Sequence, residues 1–215
     1  MFQNLKSTIF QPAVWLISLF LLGCGATRIT SSWKPMAFEP AAVRKILVLG
    51  VVRSSDRSIR QTMERHLTED LQDLGYDAVS SWDVYGPKAF EHLSEQQALE
   101  SIREKGYDAV LTIVLLDKDR ERSYYPGTFY FSPFIYYYNN FWGYHAMMVN
   151  RIYQPGYYVT STRYFWESNL YEMNTQQLVY SVQTRSFDPS STESMAHEYG
   201  ELIAQEIGDK GLIRK

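Results

Sequence analysis

Apolar residues fall into distinct kinds of run along this chain, and each kind predicts a different element. Lys45-Ile-Leu-Val-Leu-Gly-Val-Val52 is continuous and rich in β-branched residues, the pattern of a buried central strand. Ser54, Ser55, Asp56 and Ser58 follow as helix-start residues. Ile59, Met63, Leu67, Leu71 and Leu74 then recur at helical spacing, with Glu64, Arg65, Glu69 and Asp70 on other faces. Gly75 supplies the stop. Ala78 to Tyr85 reads as a second strand. Ser94-x-x-Gln97 is a capping box, opening a shorter helix through Ala98, Leu99 and Ile102 that ends at Gly106. Ala109 to Leu116 is another buried-strand run.

Two junctions repeat. Leu74-Gly-Tyr-Asp-Ala-Val79 and Lys105-Gly-Tyr-Asp-Ala-Val110 share five residues, 31 positions apart. Duplication and convergent turn chemistry both give such a match, and both give the same architecture. Helix, glycine and strand occur twice after an initial strand. That predicts a β-α-β-α-β unit with parallel strands and helices packed over the sheet. Asp117-Lys-Asp-Arg-Glu-Arg122 is a mixed charge run, read as a solvated strand end or turn.

The second half changes character. Tyr157 to Leu170 and Gln177 to Phe187 are long, aromatic and β-branched, joined by the polar stretch Tyr171 to Gln176, and they predict an antiparallel pair. Leu178, Tyr180, Val182 and Thr184 face one way and Ser181, Gln183 and Arg185 the other, as in a sheet with one wet face. Asp188-Pro189 breaks the strand. Ser190-x-x-Glu193 opens a last helix with Met195, Tyr199, Leu202, Ile203 and Ile207 on one face, ended by Gly208 and Gly211. The fold class is therefore mixed α/β: one mixed sheet with helices packed on it.

At the other end of the chain, Pro12 to Leu22 is apolar and follows a single cation, Lys6. The run is shorter than the roughly 20 residues a membrane span needs, and it ends at Leu21-Leu22-Gly23-Cys24. Charged start, apolar centre and small residue before the cut make a secretory signal. The tetrapeptide is similar to the lipobox of bacterial lipoproteins, which implies lipid on the thiol of Cys24, the only cysteine of the 215 residues. A plain export signal with an incidental cysteine is the alternative. The predicted organisation is a cleaved signal at 1–23, a lipidated N-terminus and tether at 24–43, and one domain at 44–215. The tether holds Pro35 and Pro40 and no sustained period; Trp33 and Phe38 are expected to dock on the body. Gly25, rather than Asp, after the cysteine favours the outer membrane if the source is Gram-negative, by resemblance to the lipoprotein sorting rule.

Composition narrows function by exclusion. The 21 Lys and Arg, of which Lys6 falls in the signal, face 24 Asp and Glu, with no basic stripe for nucleic acid. His66, His92, His145 and His197 form no H-E-x-x-H, and with Cys24 committed to lipid no thiolate remains for zinc. Elbow, P-loop and dinucleotide fingerprints are missing, and Gly50 alone is no phosphate cradle. Glu167, beside Trp166, is the best single candidate for a desolvated acid. Catalytic residues, cofactor and metal are expected to be none, apart from the covalent acyl and diacylglyceryl lipid.

Residues 124–158 stand out. They hold ten tyrosines, four phenylalanines and Trp142, with Arg151 as the only formal charge, and glycines and prolines interrupt them. This excursion either completes the core, presents tyrosines to a partner protein or another copy, or stacks on sugars or lipid headgroups. Tyr124, Tyr125, Tyr130, Tyr136, Tyr137, Tyr138, Trp142 and Tyr144 are the candidate partner-binding residues.

The lipobox, the Lys45–Val52 strand, the Gly-Tyr-Asp-Ala-Val junctions and the pattern Tyr164-Phe-Trp-Glu167, Asn169-Leu-Tyr171, Leu178-Val-Tyr-Ser181, Thr184, Phe187-Asp-Pro189 resemble a group of uncharacterised bacterial lipoproteins. More distantly the layout resembles the α/β domain shared by the amino-terminal region of TolB and the curli secretion lipoprotein. The resemblance implies a fold and brings no catalytic residues. The curli lipoprotein forms a ring pore by adding membrane-spanning hairpins; clean alternating segments of that type are lacking here. The expected function is a lipid-anchored, non-catalytic binding or assembly module in envelope assembly or transport. Its partners would be the membrane, through the anchor, and an envelope protein or further copies. A ring-forming secretion subunit and an envelope glycan or lipid hydrolase are the alternatives.

Overall fold

The computed structural model describes residues 26–36, 43, 45–125, 141–142, 145 and 156–213. The β-α-β-α-β unit is present. Strand β2 (Lys45–Val51) is followed by a short 3-10 turn (Ser54–Asp56) and helix α1 (Arg57–Asp73). Strand β3 (Asp77–Ser80), a helical turn α2 (Ser81–Tyr85), helix α3 (Glu95–Glu104) and strand β4 (Ala109–Tyr125) come next. The antiparallel strands β5 (Tyr157–Glu172) and β6 (Gln177–Phe187) and helix α4 (Thr192–Asp209) complete the chain, and β1 (Thr27–Trp33) precedes them all. The sheet order is β1-β6-β5-β4-β2-β3, with β2 parallel to both β3 and β4.

The repeated junctions explain that arrangement. Gly75 and Gly106 both take left-handed φ values, 86° and 75°, which a residue with a Cβ adopts at a cost. In each, the tyrosine amide reaches back into the helix just ended: Tyr76 to the Leu71 carbonyl, Tyr107 to that of Ile102. The strands then start in step, and Ala78 and Ala109 both lie opposite Ile46, one on each side of β2. Their small side chains leave room on that face for α1. The capping box of α3 is fully formed, with Ser94 and Gln97 bonded reciprocally.

Two cores form, one on each face. Under α1 and α4 lie Ile46, Val48, Leu111, Ile113, Trp166, Leu170, Tyr180 and Val182 with Met63, Leu67, Leu71, Tyr199 and Ile203. The smaller core packs Leu47 and Val110 against Ile102, Tyr107 and Met173. The wet-face pattern of β6 holds, because Tyr180, Val182 and Thr184 are buried while Gln183 is exposed.

Several elements differ from the sequence reading. Ser81–Tyr85, expected as strand, is helical because Ser80 Oγ caps it by accepting from the Trp82 amide. Strand-prone Trp82, Val84 and Tyr85 hide that turn. The last helix is capped by Ser191, one residue later than Ser190. Residues 27–33, expected as tether, form an edge strand beside β6, with a bulge between Ile29 and Ser31. Trp33 pairs there through its backbone while its side chain stays half exposed; Phe38 lies outside the described residues. Finally, the charge run Asp117–Arg122 is neither strand end nor turn. It is the middle of β4, which continues to Tyr125.

Candidate functional site

The extension of β4 creates the most unusual surface of the molecule. β2 gives β4 its last partner at Val114, and β6 gives β5 its last at Arg163. Among the described residues, Arg120–Tyr125 and Thr162–Tyr157 beyond those rows pair as strands only with each other, with Asp188 bonded to the Thr162 backbone at the base. The result is a two-stranded ribbon of six residue pairs, about 20 Å long at the usual rise per residue. A bulge between Leu115 and Asp117 marks the point where it leaves the sheet. Among the described residues neither outer edge has a neighbouring strand beyond these rows, an arrangement that invites another chain.

Cross-strand pairs hold the ribbon. Arg163 bonds Glu121 and lies 3.7 Å from Asp119. Beyond Arg122 the described pairs carry no charge. Tyr125 stacks on Tyr157 at 5.7 Å and Tyr124 tilts against Tyr158 at 4.9 Å. The Arg122 guanidinium covers the Tyr158 ring at 4.0 Å. Each of these four tyrosines is at least half exposed. Tyr124 and Tyr125, two of the candidate partner-binding residues, thus lie beside Tyr158 and Tyr157, which the sequence reading counted in the tyrosine-rich stretch and also read as the start of a strand.

The other candidates divide. Trp142 is exposed beside Phe141, with centroids 5.3 Å apart, and the His145 ring lies 5.9 Å from each. Tyr130, Tyr136, Tyr137, Tyr138 and Tyr144 lie outside the described residues, as do Leu21, Leu22, Gly23 and Cys24.

Glu167 is not a desolvated acid. Hydrogen bonds from Gln183 Nε2 at 3.0 Å and Asn169 Nδ2 at 2.9 Å hold its carboxyl below the usual range. Its neighbours Trp166 and Ser168 point to the α1–α4 face, where Ser168 bonds Tyr199. Glu167 therefore faces the other way from His66 and His197, and no acid–histidine site forms around it. The two histidines meet each other instead, ring centroids 5.9 Å apart, and His66 Nε2 lies 2.8 Å from Glu193 Oε2. Arg65 shares that exposed carboxylate at 2.7 Å. The His66 hydrogen bond is the leading cause of its lowered pKa. Among the described residues no group of three potential ligands could hold a metal.

Just past the carboxyl end of β2, beside the middle of β4, lies a cavity of about 330 Å³. Arg53, Ser55, Asp56, Asp117 and Lys118 line it, and Lys118 closes on Asp56 at 3.3 Å.

Sequence reading missed the buried polar centre. Glu64, placed on a solvent face by its charge, is wholly buried. Its carboxylate accepts from the Gly50 amide at 2.8 Å, Arg60 Nε at 2.7 Å, Ser80 Oγ at 2.9 Å, Ser81 Oγ, and the Trp82 amide at 2.7 Å. Arg60 is satisfied in turn by Ser81 Oγ and the Pro87 carbonyl. Every charge has its partners, so the cluster ties α1 to the ends of β2 and β3 and offers nothing to a substrate. The signal in the sequence was the i, i+4 pair Arg60–Glu64 facing three small residues, Gly50, Ser80 and Ser81.

No family model and no curated protein matches the chain. Among solved structures it is similar to the PelC dodecamer from Paraburkholderia phytofirmans. That likeness has 14% identity and a TM-score of 0.41, and covers 88% of this chain and 98% of that one. It is also similar to lipoprotein GNA1162 from Neisseria meningitidis, with 12% identity, a TM-score of 0.41, and coverage of 77% and 98%.

Proposed function

We propose that this chain is a lipid-anchored envelope protein that works by assembly, and that its β4–β5 ribbon is the assembling device. The observation that carries this is the six-pair ribbon continuing past the rest of the sheet, with two edges that have no neighbouring strand among the described residues and four exposed tyrosines. An isolated two-stranded ribbon is marginally stable in water, so a surface that accepts it lowers its free energy. Tyrosine gives large rigid contact area with a polar tip, suited to such contacts. Anchoring comes from Cys24, and among the described residues no helix is long and apolar enough to cross a membrane.

Assembly into a closed ring of copies is favoured over capture of a single partner. The β4 and β5 edges of the described ribbon lie on opposite sides, so the β4 edge of one copy can receive the β5 edge of the next, a head-to-tail contact that can repeat around a ring. PelC is a dodecamer; at the likeness found, that assembly belongs to PelC, and the ring reading here rests on this chain's own ribbon.

The test is the native mass of the full-length protein extracted in detergent, followed by electron microscopy. Closed rings of uniform size are expected. A monomer at all concentrations overturns the assembly reading. Labelled palmitate should enter the wild type and not Cys24→Ala; equal labelling overturns the anchor.

A further inference from the structure

We propose that the cavity between the start of α1 and the middle of β4 binds a phosphomonoester, a terminal phosphate carried by a small organic molecule or a lipid headgroup. The site depends neither on the anchor nor on the copy-to-copy contact proposed above.

A bulge decides which charges face the cavity. Ala109, Leu111 and Ile113 alternate onto the α1–α4 face of the sheet, and Leu115 packs there after them. At the strand period that face would next carry Asp117, Asp119 and Glu121. Leu116 is the extra residue between the Leu115–Trp166 and Asp117–Phe165 pairs, and one extra residue exchanges the two faces. Lys118, Arg120 and Arg122 therefore take the α1–α4 face, opposite Tyr164, Thr162 and Thr160. The Lys118 ammonium accordingly lies over the Tyr164 ring at 5.2 Å. Asp119 and Glu121 turn to the other face, where Arg163 meets both. A run that is balanced along the sequence is separated by sign in space.

Arg120 lines the cavity from β4, and Arg53 lines it from the segment just after β2. Both are exposed, and among the described residues neither guanidinium closes a hydrogen bond or an ion pair. Arg53 adds only its field to that acting on Asp56. The other charges at the cavity are already engaged. Lys118 Nζ lies 3.3 Å from Asp56 Oδ1, and Asp117 Oδ1 accepts from the Lys118 amide at 2.8 Å. Outside the described residues, Glu39 is the only acidic side chain of the whole sequence, one carboxylate against two arginines.

Charge and shape select the ligand. Two guanidiniums on one cavity carry two positive charges and two planar forks of donors, the geometry that grips phosphate oxygens. A phosphomonoester brings about −1.5 to −2 at neutral pH and matches them; a diester or a carboxylate brings one charge and leaves an arginine over. Leu115 and Leu116 line the same cavity and give the carbon part of the ligand an apolar wall. At about 330 Å³ the space stands near the lower end of the roughly 300–1,000 Å³ of ligand cavities, so it admits a small group and not a polymer segment.

The test is calorimetric titration of the full-length protein, in nonionic detergent, with methyl phosphate at about pH 8, where this monoester is a dianion. One equivalent should bind, and dimethyl phosphate, the singly charged diester, should bind at least about tenfold more weakly. Arg120→Gln and Arg53→Gln should each weaken methyl phosphate about tenfold, the loss of one charge-assisted contact, while Arg28→Gln on β1 leaves it unchanged. Both cavity arginines are exposed, so the variants should keep the wild-type melting temperature, which separates loss of the ligand from loss of the fold. Failure of methyl phosphate to bind at millimolar concentration overturns the site. So does equal affinity for the diester, or an affinity indifferent to both substitutions. Glycerol 3-phosphate and short-chain phosphatidic acid then distinguish the sources: tighter binding of the lipid supports a headgroup, and equal affinity supports a free phosphate ester.

Discussion

The Gly50 amide donates to Glu64 Oε1 at 2.8 Å, and a Cβ built on Gly50 would lie 2.9 Å from that same oxygen and 2.6 Å from Arg60 Cγ. Glycine at the end of β2 is thus required by close approach, since the buried ion pair occupies the space a side chain would take. Gly50→Ala should destabilise the protein by about 1–3 kcal/mol, the usual range for overpacking. Glu64→Ala should cost more, about 3–5 kcal/mol, because it leaves Arg60 buried without its counter-charge. Urea melts of both variants read these losses, and a Glu64→Ala midpoint equal to wild type would show that the pair is hydrated rather than buried.

Leu71 has no exposed surface and lies in the core under α1. Leu71→Ala should remove about 2–5 kcal/mol, the range for a leucine whose site collapses only partly. A loss under about 0.5 kcal/mol is what an exposed position gives, and would place the helix face elsewhere.

Those two sites differ in how readable they were. The α1 periodicity from Ile59 to Leu71 and the glycine stops at Gly75 and Gly106 are local signals, and local signals gave the β-α-β-α-β unit. Glu64 was hard to read because, apart from its counter-charge Arg60, the donors that satisfy its buried carboxylate lie 14 to 18 positions away in sequence, at Gly50, Ser80, Ser81 and Trp82. The ribbon was hidden for a similar reason. Asp117 to Arg122 has no apolar alternation, and only its pairing with β5 makes it strand. β1 is a polar edge strand with a bulge, held by β6 and by Glu198 from α4, so its pattern resembles a tether. Composition alone singled out the tyrosine-rich stretch that holds Tyr124, Tyr125, Tyr157 and Tyr158; that they pair across two strands needed the register.

Gly200 brings the two large helices together. A Cβ there would lie 2.2 Å from Asp70 Oδ2 and 3.1 Å from the Leu67 backbone nitrogen. The close crossing also keeps Asp70 from water, and burial pushes its carboxyl above the usual range. Gly200→Val should force α1 and α4 apart and lower the thermal midpoint. The comparison is Gly208→Val on the same helix, where the nearest neighbour of a Cβ is Leu74 Cδ1 at 3.9 Å. Equal shifts in the two variants would mean that helix propensity, not contact, sets the cost.

Alkaline pH should unfold this domain before neutral heating does. Burial pushes the Tyr199 hydroxyl far above the ordinary tyrosine range, and it does the same for Tyr180, whose hydroxyl also donates to Glu206 at 2.9 Å. Unfolded tyrosine ionises near pH 10. Above that pH the unfolded state gives up protons that the native state keeps, so stability falls as pH rises. Below about pH 10 both states are protonated and the contribution is fully present. Melting temperatures should therefore show no tyrosine-linked loss at neutrality and drop steeply above about pH 10. An alkaline drop left unchanged in the Tyr180→Phe, Tyr199→Phe double variant would show that other groups cause it.

The aromatic stretch offers a test of whether fold and assembly separate. Tyr125 and Tyr157 are already paired, so the ends of the segment between them sit one strand spacing apart. A short Gly/Ser loop can close that gap, and closure entropy changes by only about 0.6 kcal/mol per doubling of loop length. Replacing residues 126–154 in this way should leave most of the stability in place, since the two cores of the described residues are built from the sheet and its helices. Self-association should fall sharply in the same variant if the tyrosines flanking the ribbon tip need their neighbours to hold another copy. Melting curves and native mass, measured on the same preparation, read the two effects independently. A shortened protein that unfolds assigns the aromatic residues to the core. One that folds and keeps the native mass of the wild type confines the assembly contact to the ribbon itself, where Tyr124, Tyr125, Tyr157 and Tyr158 become the residues to substitute next.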